Sequence, residues 1–208
     1  MRITPMTHWA LASAPLLAIL GVLFFSFGSE VEVALFFADH AAAHPGTAFW
    51  FKVLTDWSNP VFYVTYVVML LTAIRSHNHE RKRFVIVLIV MQVLIGLVTV
   101  NILKHMIGRP RPGQGWYFDP MTTRGTYHSL PSGHTTEIFG WSLPLTFRLN
   151  RIWFTLLIGL FTGAVGFSRI YLNWHHPSDV FFGWLLGSFT AYAAWTVAGS
   201  SLFRKKVF

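Results

Sequence analysis

The chain has 208 residues, of which 53% are hydrophobic, 17% are aromatic and only 12% are charged. An average soluble protein carries about twice that share of charge, so the composition excludes an ordinary soluble domain and indicates a membrane protein. The net charge of +8 would suit nucleic acid, but the basic residues cluster at the ends of apolar runs, so we expect no nucleic-acid partner. The absence of cysteine excludes disulfides and thiolate chemistry.

Apolar runs define the predicted spans. Five uncharged runs are long enough, or nearly so, to cross about 30 Å of hydrocarbon: 9–27, 57–74, 84–103, 152–168 and 180–203. A sixth run, 133–147, is interrupted by polar residues, and we count it because of the positions of its neighbours. We therefore predict an all-α membrane protein with six transmembrane helices in one bundle, forming a single domain over 1–208. The first run is expected to be a retained span, not a removed signal peptide.

Shorter features are predicted between and within the spans. Residues near 31–44 alternate apolar with acidic or histidine positions, which predicts a short interfacial helix that packs over the bundle in preference to touching substrate. In span two, Asn59-Pro60 should kink or interrupt the helix, and Lys52 should pair with Asp56 four residues on.

Glycines recur in the last two spans at about four-residue spacing, which lets helix backbones approach closely in lipid. Spans five and six are therefore expected to be tightly packed. The glycines are Gly159, Gly163, Gly166, Gly183 and Gly187.

Basic residues are distributed unevenly between the two faces. If the N-terminus is cytoplasmic, ten of the 16 basic residues lie inside: Arg2, Arg75, Arg81, Lys82, Arg83, Arg148, Arg151, Arg204, Lys205 and Lys206. The other six lie outside: Lys52, Lys104, Arg109, Arg111, Arg124 and Arg169. Because basic loops favour the cytoplasm, we predict that both termini are cytoplasmic.

Polar groups that could carry chemistry stand in three stretches, all predicted on the outer face. The stretch 131–134 reads Pro-Ser-Gly-His. Ser132 is a good N-cap residue, and the unpaired amides after it lie at the positive end of a helix dipole, where an oxyanion binds. Gly133 allows a ligand to approach closely, and His134 lies in the first helical turn.

Three permanent cations, Lys104, Arg111 and Arg169, are expected on the same face. Any one of them could be an ordinary anchor at the membrane interface. Three together with an anion-binding helix start indicate phosphate or pyrophosphate, because the planar fork of arginine binds phosphate oxygens bidentately.

His175 and Asp179 complete the predicted site. A carboxylate bonded to one ring nitrogen fixes the tautomer, and the other nitrogen then presents its lone pair as a nucleophile. Pro177 suits the first position of a helix, which would place Asp179 in the first turn. His134 would protonate the departing oxygen, and His176 is the competing nucleophile.

Two further ionisable residues leave alternatives open. Glu137, one turn after His134, is either functional or paired within the bundle. Arg109 either touches a second phosphate or head group, or is a solvated loop arginine.

In combination, the three stretches resemble a known signature. The pattern Lys104-x6-Arg111-Pro112, Pro131-Ser132-Gly133-His134 and Ser168-Arg169-x5-His175-x3-Asp179 is similar to the tripartite motif of the type 2 phosphatidic acid phosphatase superfamily of integral-membrane lipid phosphatases. The resemblance implies a six-helix bundle and a metal-independent phosphatase without a cofactor, working at the extracytoplasmic surface. It also implies a phosphohistidine on His175, oriented by Asp179, with His134 as general acid. The implied phosphate-binding residues are Lys104, Arg111, Ser132, Gly133 and Arg169.

The expected function is hydrolysis of a phosphorylated lipid at the outer face of a bacterial inner membrane. Undecaprenyl pyrophosphate, phosphatidylglycerophosphate, phosphatidic acid and lipid A 1-phosphate are all open candidates, because the motifs contact only phosphate. Alternatives are a phosphotransferase that passes the group to a second lipid, and a non-catalytic bundle that binds or transports phospholipid. The oligomeric state stays open.

Overall fold

The computed structural model describes residues 3–200, and within that range the chain is helical without any strand, as predicted. The helices are α1 (Pro5–Ser26), α2 (Glu30–Ala43), α3 (Pro45–Arg75), α4 (His79–Ile107), α5 (Gly133–Leu149), α6 (Ile152–Tyr171) and α7 (Pro177–Gly199). A long loop with one 3₁₀ turn, Gly125–Tyr127, joins α4 to α5. Four basic residues of the charge count, Arg2, Arg204, Lys205 and Lys206, lie outside the described residues.

Between residues 3 and 200, five helices are long and apolar enough to cross a membrane, namely α1, α3, α4, α6 and α7. Large apolar side chains on their outer surfaces are exposed, such as Phe25 at 87% and Leu160 at 64%. Such exposure suits lipid and would be costly in water. The predicted interfacial segment is a separate helix, α2, which Ser29 caps by accepting a hydrogen bond from the backbone N–H of Glu32.

Helix α5 corresponds to the predicted sixth span, and that it crosses the membrane stays a prediction. It has 17 residues, and nearly every side chain from Thr135 to Phe147 is buried. A helix surrounded by other helices does not need lipid-facing apolar residues, which explains its weak hydropathy.

The glycines of α6 and α7 lie at close helix contacts, but with partners that the sequence did not indicate. A methyl group on Gly187 would lie 2.5 Å from the carbonyl oxygen of Thr136 in α5. One on Gly159 would lie 3.0 Å from the Cα of Ala12 in α1. The two helices are therefore packed tightly as expected, α7 against α5 and α6 against α1.

Local predictions for α3 had mixed outcomes. Lys52 Nζ lies 2.5 Å from Asp56 Oδ2, so this pair is confirmed. Helix α3 continues through Pro60, so the helix is not interrupted there, and the alternative of a kink stays a prediction.

Contacts between distant segments define two ends of the bundle. At one end, Asn150 exchanges two hydrogen bonds with the backbone of Ile3, at 3.0 and 2.7 Å, and Arg148 pairs with Glu80 at 3.3 Å. At the other end, the backbone N–H of Ser132 donates to the carbonyl of Asp179 at 2.9 Å. Helix α5 joins these two groups of contacts.

Candidate active site

The loop that carries His175 is short and tightly bonded to the end of α6. The chain reverses at Asn173, whose φ of 54° lies in the left-handed region that asparagine tolerates. The backbone amides of Trp174 and His175 both donate to the carbonyl of Arg169, each at 3.1 Å. His175 is therefore held against the helix end that presents the Arg169 guanidinium.

Helix α7 begins directly after this loop. Pro177 occupies the first turn, where its missing N–H leaves no bond unmade, as predicted. The carboxylate of Asp179 accepts a hydrogen bond from the backbone N–H of His176 at 2.9 Å, as in a capping box. This bond turns the carboxylate back towards the loop and therefore towards His175.

His175 and Asp179 face each other in the interior of the protein. Nδ1 of His175 lies 3.5 Å from Oδ2 of Asp179, a distance at which the two groups interact electrostatically without a formed hydrogen bond, and Nδ1 has no other hydrogen-bond partner among residues 3–200. Both side chains are buried, with 2% and 0% of their surfaces exposed. Burial is the main reason why the pKa of His175 is lowered to about 4; Arg169 and Lys104 lower it further, while Asp179 opposes them. The ring is therefore neutral at pH 7, and the geometry leaves Nε2 as the nitrogen that can present a lone pair.

The three cations of the sequence motifs come together from two helix ends and a loop. Lys104 interacts electrostatically with both Arg111 and Arg169. Burial lowers the pKa of Arg111, and Asp179 opposes this effect. Within residues 3–200, none of the three cations forms a salt bridge with a carboxylate. Like charges kept together without a direct salt bridge to a carboxylate form an anion site.

Arg169 is held from two sides. Its Nη1 donates to the hydroxyl of Thr55 at 3.0 Å, and its guanidinium lies over the ring of Trp174, 4.3 Å from the centroid. Nε of Arg169 is buried without a hydrogen-bond partner, as is Nε of Arg111. Unpartnered donors of this kind are available to an oxyanion.

The start of α5 brings the second motif to the same place. Ser132 is at the N-cap position as predicted, but its hydroxyl does not cap the helix and instead accepts a hydrogen bond from Thr135 at 3.0 Å. A methyl group on Gly133 would lie 3.5 Å from Nζ of Lys104, so this cation reaches the helix start. His134 interacts electrostatically with Arg169, His175 and Lys104. The structure thus brings all eight predicted site residues into one region.

Arg109 has a role that the sequence did not indicate. Its Nη1 lies 2.7 Å from Oδ1 of Asp179 and 2.6 Å from the hydroxyl of Ser178, and its Nη2 lies 2.6 Å from Glu30. The expectation of a solvated loop arginine is wrong, since only 14% of the side chain is exposed. The ion pair joins residues 79 positions apart, so no local pattern could have found it.

Glu30 was also missed, although it begins the predicted helix α2. One oxygen of its carboxylate accepts a hydrogen bond from the backbone N–H of Ser178 at 2.7 Å, and the other binds Arg109. Burial acts to raise the pKa of Glu30, but the Ser178 hydrogen bonds and Arg109 outweigh it, and the pKa is lowered. Glu30 is therefore ionised at neutral pH.

Of the two interpretations of Glu137, the structure confirms pairing within the bundle. Its carboxylate accepts hydrogen bonds from the hydroxyl of Tyr63 and from the amide of Asn59, the latter at 3.1 Å. Gln92, from the π-helical segment of α4, donates to the backbone carbonyl of Glu137 at 3.1 Å.

The competing nucleophile, His176, has a different environment from His175. Its Nε2 lies 3.2 Å from the carbonyl oxygen of Pro110, which requires a proton on that nitrogen. The lone pair is then on Nδ1, which is buried without a partner. This geometry is less suited to attack than that of His175.

Comparison with known proteins identifies the family. A model described as the PAP2 superfamily matches residues 82–202, which is more than half of the chain. The chain belongs to the PAP2 superfamily, which confirms the family that the three motifs predict.

Named relatives cover parts of the chain. Dolichyldiphosphatase 1 of Mus musculus is 35% identical over 108 residues, or 44% of either chain. An undecaprenyl-diphosphatase of Sulfolobus acidocaldarius is 26% identical over 129 residues, or 61% of either chain. A lipid A 4'-phosphatase of Bacteroides thetaiotaomicron is 21% identical over 158 residues, covering 72% of this chain and 70% of its own. The chain thus spans less than two thirds of the length of the first two relatives, and no solved structure matches it significantly.

Proposed function

We propose that this protein is a membrane-embedded lipid phosphatase that removes phosphate through a phosphohistidine on His175. One observation carries the proposal. A neutral, buried histidine has a carboxylate at one ring nitrogen, while Lys104 and Arg169, which have no carboxylate partners in the described part of the chain, act on it electrostatically. That arrangement combines an oriented nucleophile with a site for a multiply charged anion.

In the first proposed step, Nε2 of His175 attacks phosphorus. A P–N bond forms while the bond from phosphorus to the lipid oxygen breaks, and His134, which must be protonated when the anionic substrate is bound, gives that proton to the departing oxygen. Asp179 holds the ring in the tautomer with hydrogen on Nδ1 and stabilises the positive charge that develops there.

In the second step, water attacks the phosphohistidine. His134, now neutral, accepts the proton of the water while the P–N bond breaks, which releases inorganic phosphate and restores both histidines. The pathway therefore balances without any further reactant.

The transition state is proposed to be stabilised by fixed charge. Lys104 interacts electrostatically with Arg111 and Arg169, and it also reaches Gly133 at the start of α5, where the helix dipole is positive. Preorganised donors in a site of low dielectric stabilise developing charge on phosphoryl oxygens without reorganising.

For the substrate, we propose a lipid-linked phosphate, with a polyprenyl pyrophosphate as the first compound to test. Two of the relatives above are named for polyprenyl diphosphates and a third for lipid A phosphate. The basic segments at one end of the bundle support a cytoplasmic position for that end, in a bacterial inner membrane. The active site would then open on the periplasmic face.

The test is phosphate release by detergent-purified protein with excess EDTA. The panel contains undecaprenyl pyrophosphate, phosphatidylglycerophosphate, phosphatidic acid and lipid A 1-phosphate. We expect selective release by the parent protein, and loss of at least about 10³-fold in His175→Ala. His105→Ala is the matched control, because it removes a histidine from the end of α4 that has no role in the proposed chemistry.

A labelled intermediate tests the mechanism separately from turnover. Brief incubation with ³²P-labelled substrate should leave acid-labile, base-stable label on the parent, as phosphoramidates do, and none on His175→Ala. Turnover in His175→Ala equal to that of the parent would rule out this nucleophile, and label in that variant would point to His176. Release that requires an added acceptor lipid would instead identify a phosphotransferase.

A further inference from the structure

We propose that Arg109 and Glu30 are positioning residues for the reaction. Their ion pair fixes the carboxylate of Asp179, and through it the ring of His175, and joins this geometry to helix α2. The inference rests on the proposed function, in which Asp179 orients the nucleophile.

The first observation is that Asp179 depends on Arg109 for its counter-charge. The carboxylate is fully buried, and a buried charge is costly unless it is paired and hydrogen-bonded. Among residues 3–200, Arg109 is the one Lys or Arg within salt-bridge distance, at 2.7 Å from Oδ1. That contact leaves Oδ2 as the oxygen that faces Nδ1 of His175.

The second observation is that Arg109 is itself fixed by α2 and α7. Glu30 binds Nη2 with one carboxylate oxygen and the backbone N–H of Ser178 with the other. The hydroxyl of Ser178 accepts a hydrogen bond from Nη1. The guanidinium plane is therefore set by one contact from each of two helices, in addition to its bond with Asp179.

The third observation is that α2 bridges the two ends of the loop that carries His175. Glu30 binds the start of α7 through Ser178, and His40, near the other end of α2, lies 2.9 Å from the hydroxyl of Tyr171 at the end of α6. The His175 loop runs between Tyr171 and Ser178, so α2 crosses it with one attachment on each side.

These contacts distinguish Arg109 from the three phosphate-binding cations. Both of its terminal nitrogens are already bonded to carboxylates, whereas Lys104, Arg111 and Arg169 have none within salt-bridge distance in the described residues. A guanidinium with two carboxylate partners has little positive charge to offer a second phosphate. The expected effect of changing it is therefore on turnover and not on substrate affinity.

The test compares Arg109→Lys, Glu30→Gln and the double variant on phosphatidic acid and on undecaprenyl pyrophosphate. Lysine keeps the charge but cannot reach both carboxylates in the geometry of a guanidinium. We expect Arg109→Lys to lower kcat about 10²-fold on both lipids with KM little changed, as misplacement of a catalytic group does. Glu30→Gln should lower kcat about tenfold, and the double variant should be no slower than Arg109→Lys, because both changes release the same constraint.

Two matched controls change exposed charged residues in the same elements. Asp39→Asn changes an exposed acid on α2, and Arg124→Lys changes an exposed arginine in the loop that contains Arg109. Both should keep the kinetics of the parent. The proposal is overturned if kcat of Arg109→Lys equals that of the parent. It is also overturned if activity falls only on undecaprenyl pyrophosphate and through a raised KM, because Arg109 would then be a binding residue for the second phosphate. If Arg109→Lys is not recovered as monodisperse protein, the nearly isosteric Glu30→Gln is the test. A kcat equal to that of the parent, or a loss confined to KM on the pyrophosphate, would then overturn the proposal.

A readout independent of turnover separates this inference from the proposed function. Absence of phosphate release by the parent counts against the proposed function, and positioning is then measured by the rate at which diethyl pyrocarbonate modifies His175, read by mass spectrometry. Because the ring is only 2% exposed, release of the loop by Glu30→Gln should accelerate this modification relative to Asp39→Asn. Equal rates in the two variants would overturn the positioning role.

Discussion

The hydroxyl of Ser129 donates a 2.5 Å hydrogen bond to Oδ2 of Asp179, the same oxygen that faces His175. Ser129 is fully buried and stands at the end of the loop between α4 and α5. The catalytic carboxylate of the proposed mechanism is therefore held by a segment distant in sequence, and its bonds account for several expected effects.

Removing this hydroxyl should destabilise the protein. A hydrogen bond to a charged group contributes about 1.5–3 kcal/mol, so Ser129→Ala should lower the free energy of unfolding by that amount in a chemical-denaturation measurement in detergent. Ser76→Ala removes an exposed hydroxyl at the end of α3, and its effect should be below about 0.5 kcal/mol. Equal effects of the two changes would contradict the prediction.

The rate should respond to pH through His175. Its pKa is lowered to about 4, so the nucleophile is neutral above that pH and is protonated as the pH falls through it. We expect kcat/KM, which reports the free enzyme, to show an acid limb near pH 4 and not near the usual value of about 6.5.

The phosphate of the substrate itself titrates near pH 6 and must be distinguished from the enzyme. If the midpoint pH of the acid limb changes when a phosphorothioate replaces the phosphate, that limb reports ionisation of the substrate. An acid limb near 6.5 that does not move with the substrate would contradict the lowered pKa of His175.

Replacement of Arg169 by lysine should impair catalysis although the charge is kept. The lysine cannot both bond to Thr55 and stack on Trp174, so the cation loses its fixed position. We expect kcat/KM to fall about 10²- to 10³-fold, as when one donor to a developing oxyanion is lost.

Arg151→Lys is the matched control, because this exposed residue lies at the opposite end of α6. Its kinetics should match those of the parent. A comparable loss in both variants would show that the effect of Arg169→Lys is not specific to the site.

The contact between α5 and α7 should tolerate no added methyl group. In Gly187→Ala the new carbon would lie 2.5 Å from the carbonyl oxygen of Thr136 and 2.8 Å from Cβ of Phe139. Overpacking of this kind costs about 1–3 kcal/mol, measurable as a lower midpoint of thermal unfolding. Gly21→Ala in α1, with nothing within 4 Å of the new carbon, should be neutral or slightly stabilising. A Gly187→Ala protein as stable as the parent would contradict this contact.

Sequence alone determined the helical class, five helices that could span a membrane, a separate short helix between the first two of them, the pairing of Lys52 with Asp56 and the family. These are local properties, because hydropathy over some 20 residues and short spacings such as that of His175 and Asp179 depend little on the rest of the chain.

The tertiary structure decided what depends on contacts between helices. The burial of α5, the partners of the glycines in α6 and α7, and the pairing of Glu137 with Tyr63 follow from which helices are neighbours. The link from Glu30 through Arg109 to Asp179 joins three segments that no pattern in the sequence relates. An isolated charge near a helix end could be solvated by water, and only the packing that buries it fixes its partner.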